Sequence, residues 1–266
     1  MKPLVPQPDW PESWKLSYHY DRLELYGDRS HRGYALGYAA RRKATLALVA
    51  SAARPPARVL DLAAAQGNFS LALAELGYDV TWNDLRGELE GYVRLKHEKG
   101  SLRFAPGNVF ELGNVEPFDL VLMTEVLEHV AHPDDFLRRV SGLVKPGGHI
   151  VMTTPNGEYV RNTLPRFSDC PDPSIFEERQ FQPDGDGHIF LLHEDELKRL
   201  SAAAGLKLES LNLFANLLTS GHMKLERLLR ILPESWVQAI EESSLRLPWP
   251  LRKKLHVGFA ALLAKA

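Results

Sequence analysis

Apolar positions along the chain follow two periods, and the period changes near residue 58. Before that point, apolar residues from Tyr34 to Ala53 recur at helical spacing, which predicts one continuous helix that ends before Pro55. Beyond it, short apolar runs alternate with stretches of helical spacing, which predicts parallel strands joined by helices. The predicted strands are 58–62, 79–83, 102–105, 118–123, 148–154, 207–214 and one within 256–264, and the predicted helices lie near 67–77, 86–99, 133–144 and 194–204.

The change of period divides the chain into a central core and two additions. Residues 1–57 are predicted to form an aromatic-rich helical cap, and residues 58–215 the core. Residues 216–254 return to helical spacing and form an insert ahead of the last core strand, within 255–266. Because additions at the ends of sheet strands commonly shape substrate pockets, we expect the cap and the insert to form a lid.

Composition narrows the class of protein. The chain has 266 residues, of which 44% are hydrophobic, enough to bury a large core. Its formal net charge of −2 argues against nucleic acid as a partner. Cys170 is the only cysteine, which excludes an intrachain disulfide. The sequence contains neither a signal peptide nor an apolar run of about 20 residues, so we expect a cytoplasmic protein without a membrane span. It carries no indication of the oligomeric state.

The most informative segment runs from Arg58 to Ser70. A buried strand with one acid, Asp61, leads into a turn of small residues at 63–67, and a helical pattern follows. Such a strand–turn–helix leaves free backbone N–H groups at the carboxyl end of the strand, where open α/β sheets bind nucleotide-like ligands. Asp84 ends the next apolar stretch, and an acid at that place can accept hydrogen bonds from a ribose diol.

These two features resemble the first motifs of class I S-adenosylmethionine (SAM) dependent methyltransferases. The resemblance implies an α/β fold: a Rossmann-like, seven-stranded, mostly parallel sheet with helices on both faces, an N-terminal helical cap and a helical insert before the last strand. The chain departs from the family pattern at Ala63 and Ala65, where glycine is usual, and keeps only Gly67. The added methyls narrow the site, which counts more against a dinucleotide with its pyrophosphate than against SAM.

Further cofactor contacts are expected beside these motifs. Asn108 stands where the family usually has an acid that accepts from the adenine amino group, and an amide oxygen can do the same. Arg41 or Arg42, late in the N-terminal helix, suits the methionyl carboxylate of SAM. The predicted SAM-binding set is Arg41, Asp61, Ala63, Ala65, Gly67, Asp84, Leu85, Asn108, Val109 and Thr124.

Two acids and a histidine follow the fourth predicted strand. Glu125, Glu128 and His129 stand at positions i, i+3 and i+4, so a helical turn would direct all three side chains from one face. Two carboxylates and an imidazole, without thiolates, favour Mg²⁺ or Mn²⁺ over structural zinc.

The wider block around these residues resembles metal-dependent O-methyltransferases. Glu-x-x-Glu-His is followed by Thr-Thr-Pro-Asn-Gly-Glu-Tyr at 153–159 and by Gly-His-Ile-Phe after a glycine-rich loop that begins at Asp184. The arrangement is similar to the O-methyltransferases of ubiquinone biosynthesis and to those that methylate the terminal 2′-hydroxyl of small RNAs. This resemblance implies a divalent ion that holds adjacent acceptor oxygens. It assigns the ligands as Glu125, Glu128, His129 and His188.

The function implied by the resemblance is methyl transfer from SAM to a hydroxyl of a small-molecule acceptor, such as a sugar, a polyketide, a quinone precursor or another secondary metabolite. His129, His132 and His193 are candidates for the general base. Three interpretations of the acids and histidines stay open, namely metal ligation, a histidine base without metal, and a structural role. The alternative functions are RNA 2′-O-methylation, small-molecule N-methylation and SAM binding without catalysis.

Overall fold

Seven strands form one sheet in the computed structural model, which describes residues 1–113, 116–180, 187–223 and 225–266. The strands are β1 (Arg58–Leu62), β2 (Asp79–Asn83), β3 (Ser101–Phe104), β4 (Phe118–Thr124), β5 (Val144–Pro155), β6 (Leu206–Asn216) and β7 (His256–Lys265). Their order is β3-β2-β1-β4-β5-β7-β6, and β7 runs antiparallel to both of its neighbours, whereas the other pairs are parallel. The predicted fold class is confirmed.

Helices cover both faces of this sheet. They are α1 (Glu12–Glu24), α2 (Arg32–Ala52), α3 (Asn68–Glu75), α4 (Leu89–Lys96), α5 (Pro133–Gly142), α6 (Glu194–Ala203), α7 (Glu226–Ile231), α8 (Glu234–Leu245) and α9 (Trp249–Leu255). Successive residues of β1 point to opposite faces of the sheet, as in any strand. Leu60 joins a core cluster with Leu137 of α5 and Leu197 of α6. Val59 instead joins a cluster that contains α2 residues and Leu73 of α3.

The helix boundaries follow local sequence signals. Pro133 occupies the first turn of α5, where the backbone N–H that it lacks would have no partner within the helix. Two aspartates in the same turn interact favourably with the positive end of the helix dipole. Helix α2 stops at Ala52, three residues before Pro55, close to its predicted end.

Strand β5 begins earlier than the sequence predicts. The predicted strand starts at residue 148, but pairing with β4 already begins at Val144. The register shifts between Phe118, which pairs with Val144, and Leu120, which pairs with His149. The two glycines at 147–148 therefore lie inside the strand, at a bulge that takes up the extra residues.

The cap helices and the insert helices touch each other. The backbone N–H groups of Arg32 and Gly33, at the start of α2, donate to the Glu226 carboxylate at the start of α7, at 2.5 and 3.1 Å. The backbone of Gly33 packs against that of Gly221, and a Cβ on Gly33 would overlap it. Because β6 ends and β7 begins at the edge where the parallel strands end, the insert leaves the sheet at its carboxyl edge.

The described helices show no membrane span. None of them combines the length and the apolar character that crossing a bilayer requires.

Candidate functional site

The turn between β1 and α3 keeps a left-handed backbone despite its alanines. The φ angles are 55° at Ala63, 47° at Ala65 and 72° at Gly67. At Gly67 an added Cβ would lie 2.8 Å from a methyl of Val93, so this position needs glycine for space as well as for conformation. The turn thus has a left-handed backbone at three positions, and two of them carry alanine at a conformational cost.

Asp84 lies directly after β2 and closes this turn. Its side chain is almost fully buried, and one carboxylate oxygen accepts the backbone N–H of Ala65 at 2.7 Å. The other oxygen accepts the backbone N–H and the Nε–H of Arg86 at 2.9 and 3.0 Å. The acid therefore stands between the tips of β1 and β2, as the sequence predicts.

Asp61 faces α3 from within β1. Its carboxylate is 1% exposed and accepts the Ser70 hydroxyl at 2.5 Å. Burial raises the pKa of Asp61 to about 7, and the nearby Asp84 adds to the rise. These contacts hold the helix that follows the turn against the strand that precedes it.

The remaining predicted cofactor residues lie at neighbouring strand ends. Asn108 caps the 3₁₀ turn Val109–Glu111, since its side-chain oxygen accepts the Phe110 N–H at 3.2 Å. Val109 is buried in the core, whereas Leu85 is largely exposed. Thr124 is half-buried at the end of β4.

Arg41 reaches the carboxyl edge of the sheet from α2. Its guanidinium forms an ion pair with Glu125 at 3.2 Å, and it lies over the ring of Tyr38. Glu24, at the end of α1, also interacts electrostatically with this guanidinium. The structure therefore places a cation between two acids next to the turn.

Glu24 joins the cap to the turn and to α3. Its carboxylate accepts hydrogen bonds from the Tyr34 hydroxyl at 2.7 Å, the Gln66 amide at 3.1 Å and the Asn68 amide at 2.8 Å. Burial raises the pKa of Glu24, which Arg41 partly offsets. A positively charged ligand group beside Glu24 would stabilise its ionised form.

A buried polar network lies behind this contact. Asp21 and Lys96 form a fully buried ion pair at 2.7 Å. Asp21 also accepts hydrogen bonds from the Tyr92 hydroxyl and the Asn68 amide at 2.7 and 2.9 Å. Because Asn68 is the first residue of α3, the network ties α1 to the helix that follows the turn.

Three of the four predicted metal ligands lie together. One ligand atom from each of Glu128, His129 and His188 falls within 4.8 Å of the other two. Glu128 is fully buried; one oxygen accepts the Thr154 hydroxyl at 3.1 Å, and the other has no hydrogen-bond partner among the described residues. Atoms that bind one Mg²⁺ or Mn²⁺ at about 2.1 Å lie at most about 4.2 Å apart, so small side-chain movements would complete a site.

The charges in this group suit a divalent ion. Burial and the nearby Glu125 raise the pKa of Glu128 well above its usual value. Burial and the neighbouring His188 lower the pKa of His129, which favours the neutral imidazole that binds metals. A bound cation would stabilise the carboxylate form of Glu128, and the lowered pKa of His129 keeps its imidazole uncharged, as metal binding requires.

Glu125 lies near these three residues but outside their cluster. Its backbone has a φ angle of 54° and precedes the 3₁₀ turn Leu127–His129, so the helical spacing used in the sequence argument does not extend to it. Its carboxylate accepts the Thr153 hydroxyl at 2.7 Å and pairs with Arg41.

The two other candidate bases have partners of their own. His132 pairs with Glu177 at 2.9 Å, just before α5. The residue preceding α6 is His193, whose backbone N–H donates to Glu196 and whose ring lies against Gly157. The loop at 184–186 that precedes His188 in the sequence argument lies outside the described residues.

Comparisons with known proteins identify the family of this chain. Residues 31–211 match the family model for a methyltransferase domain. The chain belongs to this family. Ubiquinone biosynthesis O-methyltransferases from Xanthomonas campestris pv. campestris (strain B100) and Bordetella avium (strain 197N) are 35% identical over 135 residues and 34% over 125 residues. These matches cover 45% and 41% of this methyltransferase but 56% and 52% of the relatives, so the chain spans about half the length of the curated relatives it matches.

Solved methyltransferases share the fold at low sequence identity. A SAM-dependent methyltransferase from Mesorhizobium loti has a TM-score of 0.55 at 16% identity, over 83% of this chain and 96% of that one. The magnesium protoporphyrin IX methyltransferase from Synechocystis PCC 6803, solved with bound S-adenosylhomocysteine (SAH), has a TM-score of 0.56 at 13% identity, over 96% and 94%. The predicted methyltransferase class is confirmed.

Glu24 and its partners are not among the residues that the sequence predicts for the site of this methyltransferase. Glu24 lies 42 residues before Gln66 and 44 before Asn68, and nothing in its local sequence marks it. Asn68, directly after Gly67, lies within the motif segment, but a polar residue there carries no signal of its own.

Proposed function

We propose that this methyltransferase transfers the methyl group of SAM to a hydroxyl of a small-molecule acceptor, and that Glu128, His129 and His188 bind a divalent ion that assists. The observation that carries the proposal is the buried Glu128 oxygen without a hydrogen-bond partner among the described residues, beside two imidazoles. An unpartnered buried carboxylate oxygen is costly unless a ligand completes its shell. The names of the curated relatives, which are O-methyltransferases, support the same acceptor atom.

The donor would lie across the turn between β1 and α3. Asp84 would accept hydrogen bonds from the ribose hydroxyls, and Asn108 would accept one from the adenine amino group. The methionine end of SAM carries a carboxylate and an ammonium group. Arg41 and Glu24 supply a cation and an anion beside the turn, and we assign them to these two groups.

The acceptor hydroxyl is a weak nucleophile, and its activation is the purpose of the second half of the site. A bound Mg²⁺ or Mn²⁺ lowers the pKa of a hydroxyl and orients neighbouring oxygens. Glu128 would hold the ion as a carboxylate, and His129 and His188 as neutral imidazoles. Glu125, paired with Arg41, joins the donor side of the site to this group.

The cap and the insert would cover the acceptor. Their contact through Glu226 joins the start of α2 to the start of α7, and the insert leaves the sheet at its carboxyl edge. We propose that they act together as the lid of the acceptor pocket.

The basic segment at 252–254 gives little support to an RNA acceptor. Lys253 is already neutralised, since its ammonium group pairs with Glu158 at 2.7 Å and with Glu194 at 3.0 Å. Phosphate binding needs a broader basic surface than the remaining Arg252 and Lys254 offer.

Binding of Mn²⁺, followed by electron paramagnetic resonance, tests the metal. We expect wild-type protein to bind Mn²⁺ and Glu128→Gln to bind it at least about 10-fold more weakly, because a charged ligand is lost. Glu177→Gln, which removes an acid that pairs with His132, is the matched control and should leave the affinity unchanged. Equal affinities of the wild type and Glu128→Gln would contradict the proposed ligand set. Methyl transfer that survives EDTA would contradict a role of the metal in the reaction, and would favour either a histidine base without metal or N-methylation.

A further inference from the structure

Two neighbouring threonines near the end of β5 hold the two acids that follow β4. The Thr153 hydroxyl donates to Glu125 at 2.7 Å, and the Thr154 hydroxyl donates to Glu128 at 3.1 Å. Because neighbouring residues of a strand point to opposite faces of the sheet, the two acids are held on different sides of its edge.

The two sides belong to different parts of the site. On the face of Thr153, Val151 joins the core cluster that contains α2 residues. On the face of Thr154, Met152 joins the cluster with residues of α5 and α6. Glu125 therefore lies on the side of α2, the helix that carries the cation proposed for the donor.

Several contacts fix Glu125 in this place. Its backbone is left-handed, with a φ angle of 54°, and its N–H donates to the main-chain oxygen of Thr153 at 2.9 Å. Its carboxylate pairs with Arg41 at 3.2 Å. The two side chains are only 27% and 20% exposed, so water screens this ion pair less than a pair on the surface. A left-handed backbone is unfavourable for a residue with a Cβ and is kept where its surroundings determine it.

The Arg41 guanidinium is shared between this acid and the donor. Its Nε–H is buried and has no hydrogen-bond partner among the described residues, which fits a ligand carboxylate at that place. The proposed function assigns the methionyl carboxylate of SAM to this guanidinium. A second carboxylate on one guanidinium shares its charge, so binding of the donor weakens the hold of Arg41 on Glu125.

Both partners of the ion pair act on the proposed metal group. Glu125 repels the carboxylate of Glu128, and Arg41 attracts it. A divalent ion bound to Glu128 experiences the reverse, attraction by Glu125 and repulsion by Arg41. The two effects oppose each other while neither ligand is bound. When a ligand carboxylate neutralises Arg41, the attraction by Glu125 remains and favours the ion.

We propose that the ion pair between Arg41 and Glu125 couples the donor to the divalent ion, so that each ligand strengthens the binding of the other. The donor carboxylate attracts Arg41, the ion attracts Glu125, and the ligand that binds first weakens the pair for the second. Glu125 is thus a positioning residue between the two halves of the site. The coupling rests on the proposed function, which supplies both ligands.

Calorimetric titration of the full chain with SAH, with and without saturating Mn²⁺, measures the coupling. We expect Mn²⁺ to tighten SAH binding to the wild type about 5-fold or more, within the usual range of coupling between two sites. The affinity for Mn²⁺, followed by electron paramagnetic resonance, should rise by the same factor when SAH is present, because coupling is reciprocal. 5′-Methylthioadenosine lacks the carboxylate, so its affinity should not respond to Mn²⁺.

Glu125→Gln removes the charge of the acid and keeps the length of its side chain. Because Arg41 is then no longer shared, this variant should bind SAH about 2- to 5-fold more tightly than the wild type when Mn²⁺ is absent. Mn²⁺ should change that affinity less than about 2-fold. A purely structural role of Glu125 would instead weaken SAH binding. Glu177→Gln, which breaks the pair with His132, is the matched control and should keep the coupling of the wild type.

Three results would overturn the coupling. These are independent binding of SAH and Mn²⁺ to the wild type, undiminished coupling in Glu125→Gln, and an equal response of SAH and 5′-methylthioadenosine to Mn²⁺. Failure of the proposed function gives a different result, because the wild type would then bind no Mn²⁺ or no SAH at all.

Discussion

The alanines of the turn make a prediction about stability. Ala63 has a φ angle of 55°, a conformation that costs a residue with a Cβ about 1–2 kcal/mol and costs glycine little. Its side chain is exposed, so removing the methyl sacrifices no core packing. Glycine also increases the conformational entropy of the unfolded chain, which lowers the free energy of unfolding by about 0.4–1 kcal/mol. The difference predicts that Ala63→Gly raises the free energy of unfolding by about 0.5–1 kcal/mol.

Urea unfolding measures this change, and Ala64→Gly is the matched control. Ala64 belongs to the same turn but does not have a positive φ, and it packs against the cluster around Trp82. Glycine there should lower the free energy of unfolding by about 0.5–1 kcal/mol. In a thermal scan, Ala63→Gly should melt about 1–4 °C higher than the wild type. If both variants are destabilised alike, the left-handed turn is not the source of strain.

Two further predictions concern buried acids near the donor. The pKa of Asp61 is about 7 in the folded chain and about 4 in the unfolded chain. Because the folded chain binds the proton more tightly, the contribution of Asp61 to the free energy of unfolding falls as the pH rises from about 4 to about 7. Asp61→Asn should remove that pH dependence. In urea unfolding at several pH values, its free energy of unfolding should rise relative to that of the wild type between about pH 4 and about pH 7. A difference between the two proteins that does not change with pH would contradict the raised pKa of Asp61. Glu24→Gln should weaken SAH binding about 10-fold but leave 5′-methylthioadenosine, which lacks the amino-acid end, unaffected; equal losses for both ligands in calorimetry would place Glu24 away from the ammonium group.

Strands and motifs with strong local signals could be predicted from the sequence. The bounds of β1 and β2 agree with the predicted strands, because each is a short apolar run that ends in a turn or an acid. Asp84 directly follows β2, at the end of the second of these runs. The alternation of short apolar runs with helical stretches predicts a parallel sheet, and the resemblance to the family adds the expectation of seven strands.

The remaining features depend on backbone geometry or on distant contacts. Helical spacing groups Glu125 with Glu128 and His129, but Glu125 has a left-handed backbone and precedes the turn. The ion pair of Asp21 and Lys96 joins positions 75 residues apart, so no local pattern could have revealed it. The spacing of apolar residues predicts which face of a helix or strand is apolar, but it does not predict which helices and strands pack against each other.

The central claim is that the donor binds at the tips of β1 and β2 with its ribose on Asp84. Calorimetric titration with SAH tests it most directly, with Asp79→Asn as the control, since Asp79 lies at the opposite end of β2 and pairs with Arg103. The account predicts that the wild type and Asp79→Asn bind SAH alike, and that Asp84→Asn binds it about 10- to 100-fold more weakly. Wild-type protein that does not bind SAH, or Asp84→Asn with undiminished affinity, would contradict it.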